Sequence, residues 1–471
     1  MNGGLDSPLS PPPPSSTSMT TEDMASRTNK HGHRKPWIET PLVESAVLSK
    51  KAGCRIFLKL ENLQPGGSFK SRAMGSLILH HIQNPQNANR QLHFFINSGG
   101  NAGLAAVCAA RSLSYPCTVV LPLTTSRLMV DKLRAAGATQ VIQYGDTIAA
   151  AGDYMREVVM KKDSELSPDE EQEGRDNNSK QMKKIALHPF DHEAIWDGNS
   201  SIIDELAYQL PAFEEGEGYL EGVEEEEETL PVDALICSVG GGGLMNGLVQ
   251  GIERHRTKQQ KKSTKITRRK DIHILAVETD GTQSMNLAMS AGALVTLPKI
   301  TSMAVSLACV RVSEQTFEYC VSPPPGVVIH SAVLSDADAA RGCLRLADDE
   351  RILVELACGV CIEAAIGDGN KRKRSISLQH HSRGEKRAKA VANDEGFYGE
   401  DDDDTGLNVS CSDSGIASDA ESDIMLTSSC LKQLVPGLTR ESRVVIVVCG
   451  GSNVTTGMAS EWREKLANGW D

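Results

Sequence analysis

A lysine stands in an unusual setting in "GGSFKSR", residues 66–72: Lys70 follows two glycines, a serine and Phe69, just after the strand-like run "RIFLKLE". Taken alone, this is a glycine turn carrying a surface lysine. Four consecutive glycines, Gly240, Gly241, Gly242 and Gly243, separate the apolar "DALICSV" from the helix-like "LMNGLVQGIERH". Bare backbone N–H groups at the positive end of a helix make an anion site that a phosphate fits. The same tetrad also serves as a tight turn with close helix packing. Its spacing matches neither G-x-G-x-x-G followed by an acidic residue nor G-x-x-x-x-G-K-[ST], which disfavours dinucleotides and nucleoside triphosphates. A second loop, "NSGGNAGLAAVCAA", adds Ser98 and Asn101, whose side chains together with backbone amides can hold a small carboxylate. A third, "CGGSN", sets the polar sulfur of Cys449 among glycines.

Positioning these loops requires strands that end together. Strand-like "RIFLKLE", "LHFFIN", "CTVVLP" and "QVIQYG" alternate with helix-like "SRAMGSLILHHI", a segment from Ala102, and "SRLMVDKLRAAG". After an interruption the alternation resumes through "DALICSVGGGG", "LMNGLVQGIERH" and "DIHILAVETD", and it closes on "SRVVIVVCGGS". That pattern marks βαβ units building an α/β fold, with parallel-rich open sheets covered by helices. The unbroken valine and isoleucine run of the last strand suits burial on both faces. Glycine loops after three such strands converge outside the carboxyl ends of the sheet, where ligands bind in this architecture.

The chain of 471 residues is 39% hydrophobic and 4% aromatic with 41 glycines, enough for a sizeable core and two or three domains. Its formal charge of -13 is concentrated in acidic stretches such as "EEGEGYLEGVEEEEE" and "EDDDD", and implies no nucleic-acid partner. No stretch reaches the roughly 20 apolar residues needed to span a bilayer, and the amino terminus lacks the pattern of a signal peptide. A soluble, cytoplasmic protein with no membrane partner is expected. The 12 cysteines, scattered in apolar segments, read as buried free thiols. Cys358 and Cys361 form one C-x-x-C pair, but no second pair completes a zinc site. Residues 1–33 are expected to be a disordered tail in which His31 and His33 are solvated, and polar insertions are expected at about 163–183, 212–229 and 369–430.

Five motifs in order, "GGSFKSR", "SGGNAG", "SVGGGGL", "AVETDG" and "VVCGGSN", together resemble the pyridoxal phosphate enzymes of the tryptophan synthase β type (fold type II), and within them the L-serine and L-threonine dehydratases. The resemblance runs from about Thr40 to the carboxyl terminus, apart from the insertions. It implies a large cofactor-binding domain from 34–63 and 188–471 and a small substrate-loop domain over 64–187. It further implies that Lys70 holds the cofactor aldehyde as a Schiff base, between Phe69 on one face and Ser306 on the other. Gly240 to Gly243 and Leu244 would offer amides to the phosphate, Asn101 would bind the 3'-oxygen, and Cys449 would face the pyridine nitrogen. Ser98, Gly99, Gly100 and Asn101 would take the substrate carboxylate. A monovalent cation would lie near Gly240, Glu278, Thr282, Leu307 and Cys309, and a homodimer is usual in the family.

The implied reaction is β-elimination, giving pyruvate and ammonia from L-serine or 2-oxobutyrate from L-threonine. Serine racemases share most of these motifs but place a second serine where this chain has Gly99. Cysteine-forming sulfhydrylases carry threonines in the corresponding loops, and this chain does not. A catalytically inactive, cofactor-binding regulatory homologue is the non-enzymatic alternative. Two departures bear on it: Leu356 in "VELACG", where the family usually has proline, and the length of the 369–430 insertion. That insertion carries "KRKR" and "KRAK", a spacing read by nuclear import receptors or else a solvated basic segment, and "DSGIAS", which resembles a phosphorylation-dependent recognition site.

Overall fold

Runs of β-branched and aliphatic residues bounded by glycine turns become strands here, and among the described residues ten of them form two sheets. A computed structural model of the protein describes residues 32–161, 182–211, 230–262, 270–367 and 429–470. The tail over 1–33, apart from its last two residues, the insertions, apart from their edges, and the motifs "KRKR", "KRAK" and "DSGIAS" lie outside the described residues.

The larger sheet contains β1 (Leu42–Glu44), β2 (Arg55–Lys59), β7 (Ala234–Ser238), β8 (Ile272–Thr279), β9 (Val327–Leu334) and β10 (Arg443–Val447), in the spatial order β1-β2-β10-β7-β8-β9. All neighbours in it are parallel except β1 with β2. The smaller sheet, order β5-β4-β3-β6, is all parallel and contains β3 (Leu92–Ile96), β4 (Cys117–Leu121), β5 (Gln140–Gln143) and β6 (Lys183–Ala186). Each sheet has its own apolar core, one around Ile236, Ile274 and Ile446 and the other around Phe94, Val119 and Ile185.

The chain's last strand, β10, does not add to an edge. It inserts between β2 and β7, with Val445 opposite Phe57 and Leu235, and all five of its residues are buried. This insertion brings the carboxyl ends of β2, β7 and β10 side by side, and with them the loops "GGSFK", "GGGGL" and "CGGSN".

Several elements carry no clear signal in the sequence pattern. The edge strand β6 begins at Lys183, where the polar insertion was expected to end. β9 and the helix Glu193–Gln209 were not distinguished. The helix Leu356–Ile366 has all 11 residues buried, so it shows no amphipathic face to read. It packs against helix Asp336–Arg345 at backbone contact, since a Cβ on Gly342 would lie 1.9 Å from the Gly359 carbonyl oxygen. Leu356 occupies the first position of its helix. Proline is favoured there because that N–H has no intrahelical partner, so leucine fits the same backbone.

Candidate active site

Helix Lys70–Gln83 begins at the lysine itself, and the loop before it is tied to the loop after β10. Phe69 N donates to Cys449 O at 3.2 Å, Gly451 N donates to Gly67 O at 2.9 Å, and Ser68 bridges Gly450. Lys70 is half-buried, its Nζ donating to Pro189 O at 2.9 Å and lying 5.2 Å from the centre of the Phe69 ring. Burial pulls its amine down to about 8, opposed only by the nearby thiols of Cys309 and Cys449. An amine so placed is unprotonated in about a tenth of molecules at pH 7, far more than an ordinary lysine, and that fraction is a competent nucleophile or base.

Below this lysine lies a buried charge cluster. Arg72, fully buried, donates to Glu61 at 2.7 and 2.8 Å and to Glu205 at 2.5 and 2.8 Å. Lys59, also fully buried, donates to Glu205 at 2.5 Å and to Thr40 O at 2.8 Å. Burial opposes the Arg72 charge, but the two carboxylates hold the guanidinium above its usual range. Two cations and two anions therefore balance beneath the first turn of the helix, and Glu61 ties that turn to the end of β2.

The tetrad Gly240–Gly243 joins β7 to helix Gly243–Lys262, whose first-turn amides have no intrahelical acceptors. Its glycines are sterically required. Gly242 has φ +92°, and a Cβ there would lie 1.8 Å from Thr316 Oγ1. A Cβ on Gly241 would lie 2.3 Å from the Phe190 ring. Gly242→Ala is accordingly expected to weaken binding of a phosphate-bearing ligand at least about tenfold, since an alanine in this left-handed backbone costs roughly 1–2 kcal/mol before the clash is counted. A fluorescence titration of the variant against wild type checks this.

Asn101 opens helix Asn101–Ser112 after β3, and its Nδ2 donates to Ser306 Oγ at 3.2 Å. Two residues from different loops that the family resemblance assigns to one ligand are therefore in contact. Ser98, Gly99 and Gly100 are half-buried in the same loop, and Gly99 faces Thr125, whose Cγ2 would lie 2.7 Å from an added Cβ. Cys449 is 5% exposed and 3.6 Å from Ser238 Oγ; burial pushes its thiol up to about 11. Leu244 is buried at the start of the helix after the tetrad.

The remaining candidates cluster beside the tetrad. Gly240 abuts Leu307, whose Cα lies 3.3 Å from a Cβ built on the glycine, and Cys309 N donates to Leu307 O at 2.6 Å. Glu278 is fully buried and accepts the Met285 and Asn286 amides at 2.8 Å each; burial pushes its carboxyl up to about 8. Thr282 Oγ1 bonds Thr279 O at 3.0 Å and Thr279 Oγ1 at 2.8 Å.

Residue-by-residue reading missed Glu355, Pro189, Phe190 and Ser238. Glu355 is 5% exposed and its Oε1 accepts from Asn101 Nδ2 at 3.0 Å. An acid in front of an apolar helix was its one visible sign. The donor set fits pyridoxal phosphate: a depressed amine for its aldehyde, helix-start amides for its phosphate and a buried thiol for its ring nitrogen. The Ser68 hydroxyl, buried without a hydrogen-bond partner two residues before Lys70, adds an unsatisfied polar atom at the same place.

Comparison with known proteins agrees with this chemistry. The family model for pyridoxal-phosphate dependent enzymes matches residues 34–377. The chain is 39% identical over 326 residues to an L-serine dehydratase of Saccharomyces cerevisiae, covering 69% of this chain and 84% of that protein. It is 36% identical over 345 residues to a human serine dehydratase-like protein, covering 73% and 86%. Among solved structures, a fungal L-serine ammonia-lyase from Rhizomucor miehei superposes with a TM-score of 0.61 at 25% identity, covering 91% of this chain and 99% of that one. A maize serine racemase superposes with a TM-score of 0.58 at 16% identity and shares the fold. With the glycine tetrad, the desolvated Lys70 and the two-sheet α/β architecture in place, this chain belongs to the pyridoxal-phosphate dependent enzyme family of fold type II.

Proposed function

We propose that the chain is a pyridoxal phosphate-dependent lyase that dehydrates and deaminates L-serine to pyruvate and ammonia, and L-threonine to 2-oxobutyrate. The observation that carries this reading is the desolvated Lys70 amine, set where the loops after β2, β7 and β10 converge. Identity of 39% to an L-serine dehydratase supports the same substrate class.

When bound, pyridoxal phosphate supplies the electron sink that makes an amino acid's Cα proton removable. The chain supplies binding, orientation and proton handling. The amides of Gly240 to Gly243 and Leu244 would hold the phosphate, Phe69 and Ser306 would flank the ring, and Asn101 would take its 3'-oxygen. The Ser98–Gly100 loop would take the substrate carboxylate. Lys70, with an amine near 8, can accept the Cα proton at neutral pH, and the departing β-hydroxide takes up a proton in turn, so that the two leave together as water. The neutral Cys449 thiol, with Ser238 behind it, would face the ring nitrogen without forcing its protonation, which favours prompt loss of the β-hydroxyl. Thr125 leaves no room for a hydroxyl-bearing side chain at position 99 unless it shifts, which supports elimination over racemisation.

The test is to add pyridoxal phosphate to the purified protein, record the visible absorption of lysine-bound cofactor, and measure keto acid release from both amino acids. Protein that stays colourless and inert defeats the proposal. Cofactor uptake should also depend on pH through Lys70: its rate should rise about tenfold per unit below pH 8 and level off above, as the unprotonated fraction does. A rate flat from pH 6 to 9 would show that the amine is not desolvated.

The proposal extends to a homodimer as the assembled form and to a monovalent cation held by main-chain oxygens around Gly240, Leu307 and Cys309. There the raised Glu278 carboxyl would ionise against the added charge. Activity in potassium chloride should then exceed activity in a tetraalkylammonium salt; equal rates count against the ion.

A further inference from the structure

Glu355 gathers donors from three separate loops. Its Oε1 accepts from Asn101 Nδ2 at 3.0 Å and from the Asn453 amide at 2.7 Å, while its Oε2 accepts from the Ser306 hydroxyl. The loop after β10 closes tightly onto this carboxylate: Gly451 has φ +117°, and a Cβ there would lie 2.3 Å from Glu355 Oε1.

These contacts leave Asn101 with one orientation. Its Oδ1 accepts from the Ser452 amide at 2.9 Å, so flipping the carboxamide would turn an oxygen onto a carboxylate and a nitrogen onto an N–H. Both Nδ2 hydrogens are engaged, one by Glu355 at 3.0 Å and one by Ser306 Oγ at 3.2 Å. Asn101 can therefore donate to a ligand oxygen only by giving one of them up. Releasing Glu355 would strip a buried carboxylate of a charge-assisted hydrogen bond. Releasing Ser306 gives up a longer bond between neutral groups, and the serine keeps its own donation to Glu355.

We propose that Glu355 is a positioning residue for the cofactor: it anchors Asn101 through one Nδ2 hydrogen, so that the hydrogen now on Ser306 is the one that passes to a ring oxygen of pyridoxal phosphate. The proposal rests on the functional reading above. It assigns Ser306 a second role, as the acceptor that holds this hydrogen in place beforehand. Because Asn101 follows β3 of the smaller sheet while Glu355, Ser306 and Asn453 belong to loops of the larger one, the anchor also ties the two sheets together at the site.

The test is a double-mutant cycle read by pyridoxal phosphate affinity, with the melting temperature of each cofactor-free variant measured alongside. Glu355→Ala should weaken binding at least about tenfold. On an Asn101→Ala background the same change should cost less than about threefold, because its effect runs through the asparagine. Glu355→Gln, which keeps a carbonyl for Asn101, should bind within about threefold of wild type. If the alanine variant does not fold, Glu355→Asp, too short to reach all three donors, takes its place in the cycle. Additive losses in the cycle, or losses that only track melting temperature, overturn the proposal. Wild type that binds no pyridoxal phosphate overturns both this and the functional reading, whereas wild type that binds it no better than Glu355→Ala overturns this one alone.

Discussion

Replacing Lys70 by alanine is expected to abolish cofactor retention and to lower keto acid release by at least about 10³–10⁴-fold, while leaving the fold intact. General acid–base action alone contributes about 10²–10⁴-fold in rate, and the covalent anchor would be lost in addition. Stability should move the other way. Folding pulls the Lys70 pKa from its usual 10.5 to about 8, so a proton on this amine is worth less in the folded state than in the unfolded one. That penalty is fully present below pH 8 and disappears as pH rises from 8 to about 10.5. Cofactor-free Lys70→Ala should thus melt at or above the wild-type temperature at pH 7, with the difference closing by pH 10. A variant that lost activity together with several degrees of melting temperature would point to a packing role for the lysine.

The second large effect lies beneath the site. Arg72→Met should cost about 3–5 kcal/mol of stability, the range measured when one partner of a buried ion pair is removed. Methionine fills most of the volume but leaves Glu61, fully buried, without its guanidinium, and leaves Glu205 with the Lys59 ammonium and the Thr40 amide. Because Arg72 lies two residues beyond Lys70 and Glu61 lies in the turn after β2, the loss should loosen the lysine's own helix start. Thermal melting and pyridoxal phosphate affinity of the variant check this. A change below about 1 kcal/mol would mean that water or local rearrangement compensates the stranded carboxylates. The same side chain shows why a buried charge next to a functional residue is hard to assign from a motif: "GGSFKSR" displays Arg72 beside Lys70, yet one faces the cleft and the other the interior.

The division between what is legible in the chain and what is not follows from the range of the interactions. Backbone conformation and local charge are short-range properties, so the glycine turns, the helix starts behind them and the polar residues Lys70, Ser98, Asn101 and Cys449 can be read directly from the sequence. The run "RVVIVV" announces a strand buried on both faces, and β10 is one. Elements without a contrasting face were lost: helix Leu356–Ile366, buried all round, offers no period to detect.

What the sequence by itself determined was the set of loops, the lysine among them, and the α/β class that makes such loops converge. What only the tertiary structure decided was which loops meet. Inserting β10 between β2 and β7 sets Cys449 beside the Lys70 turn, although 379 residues of sequence separate them by number. Contact between Asn101, Ser306 and Glu355 likewise joins three distant segments. The amine of Lys70 is pulled down to about 8 because the assembled walls desolvate it, and desolvation is a property of packing that no residue carries in its own sequence neighbourhood.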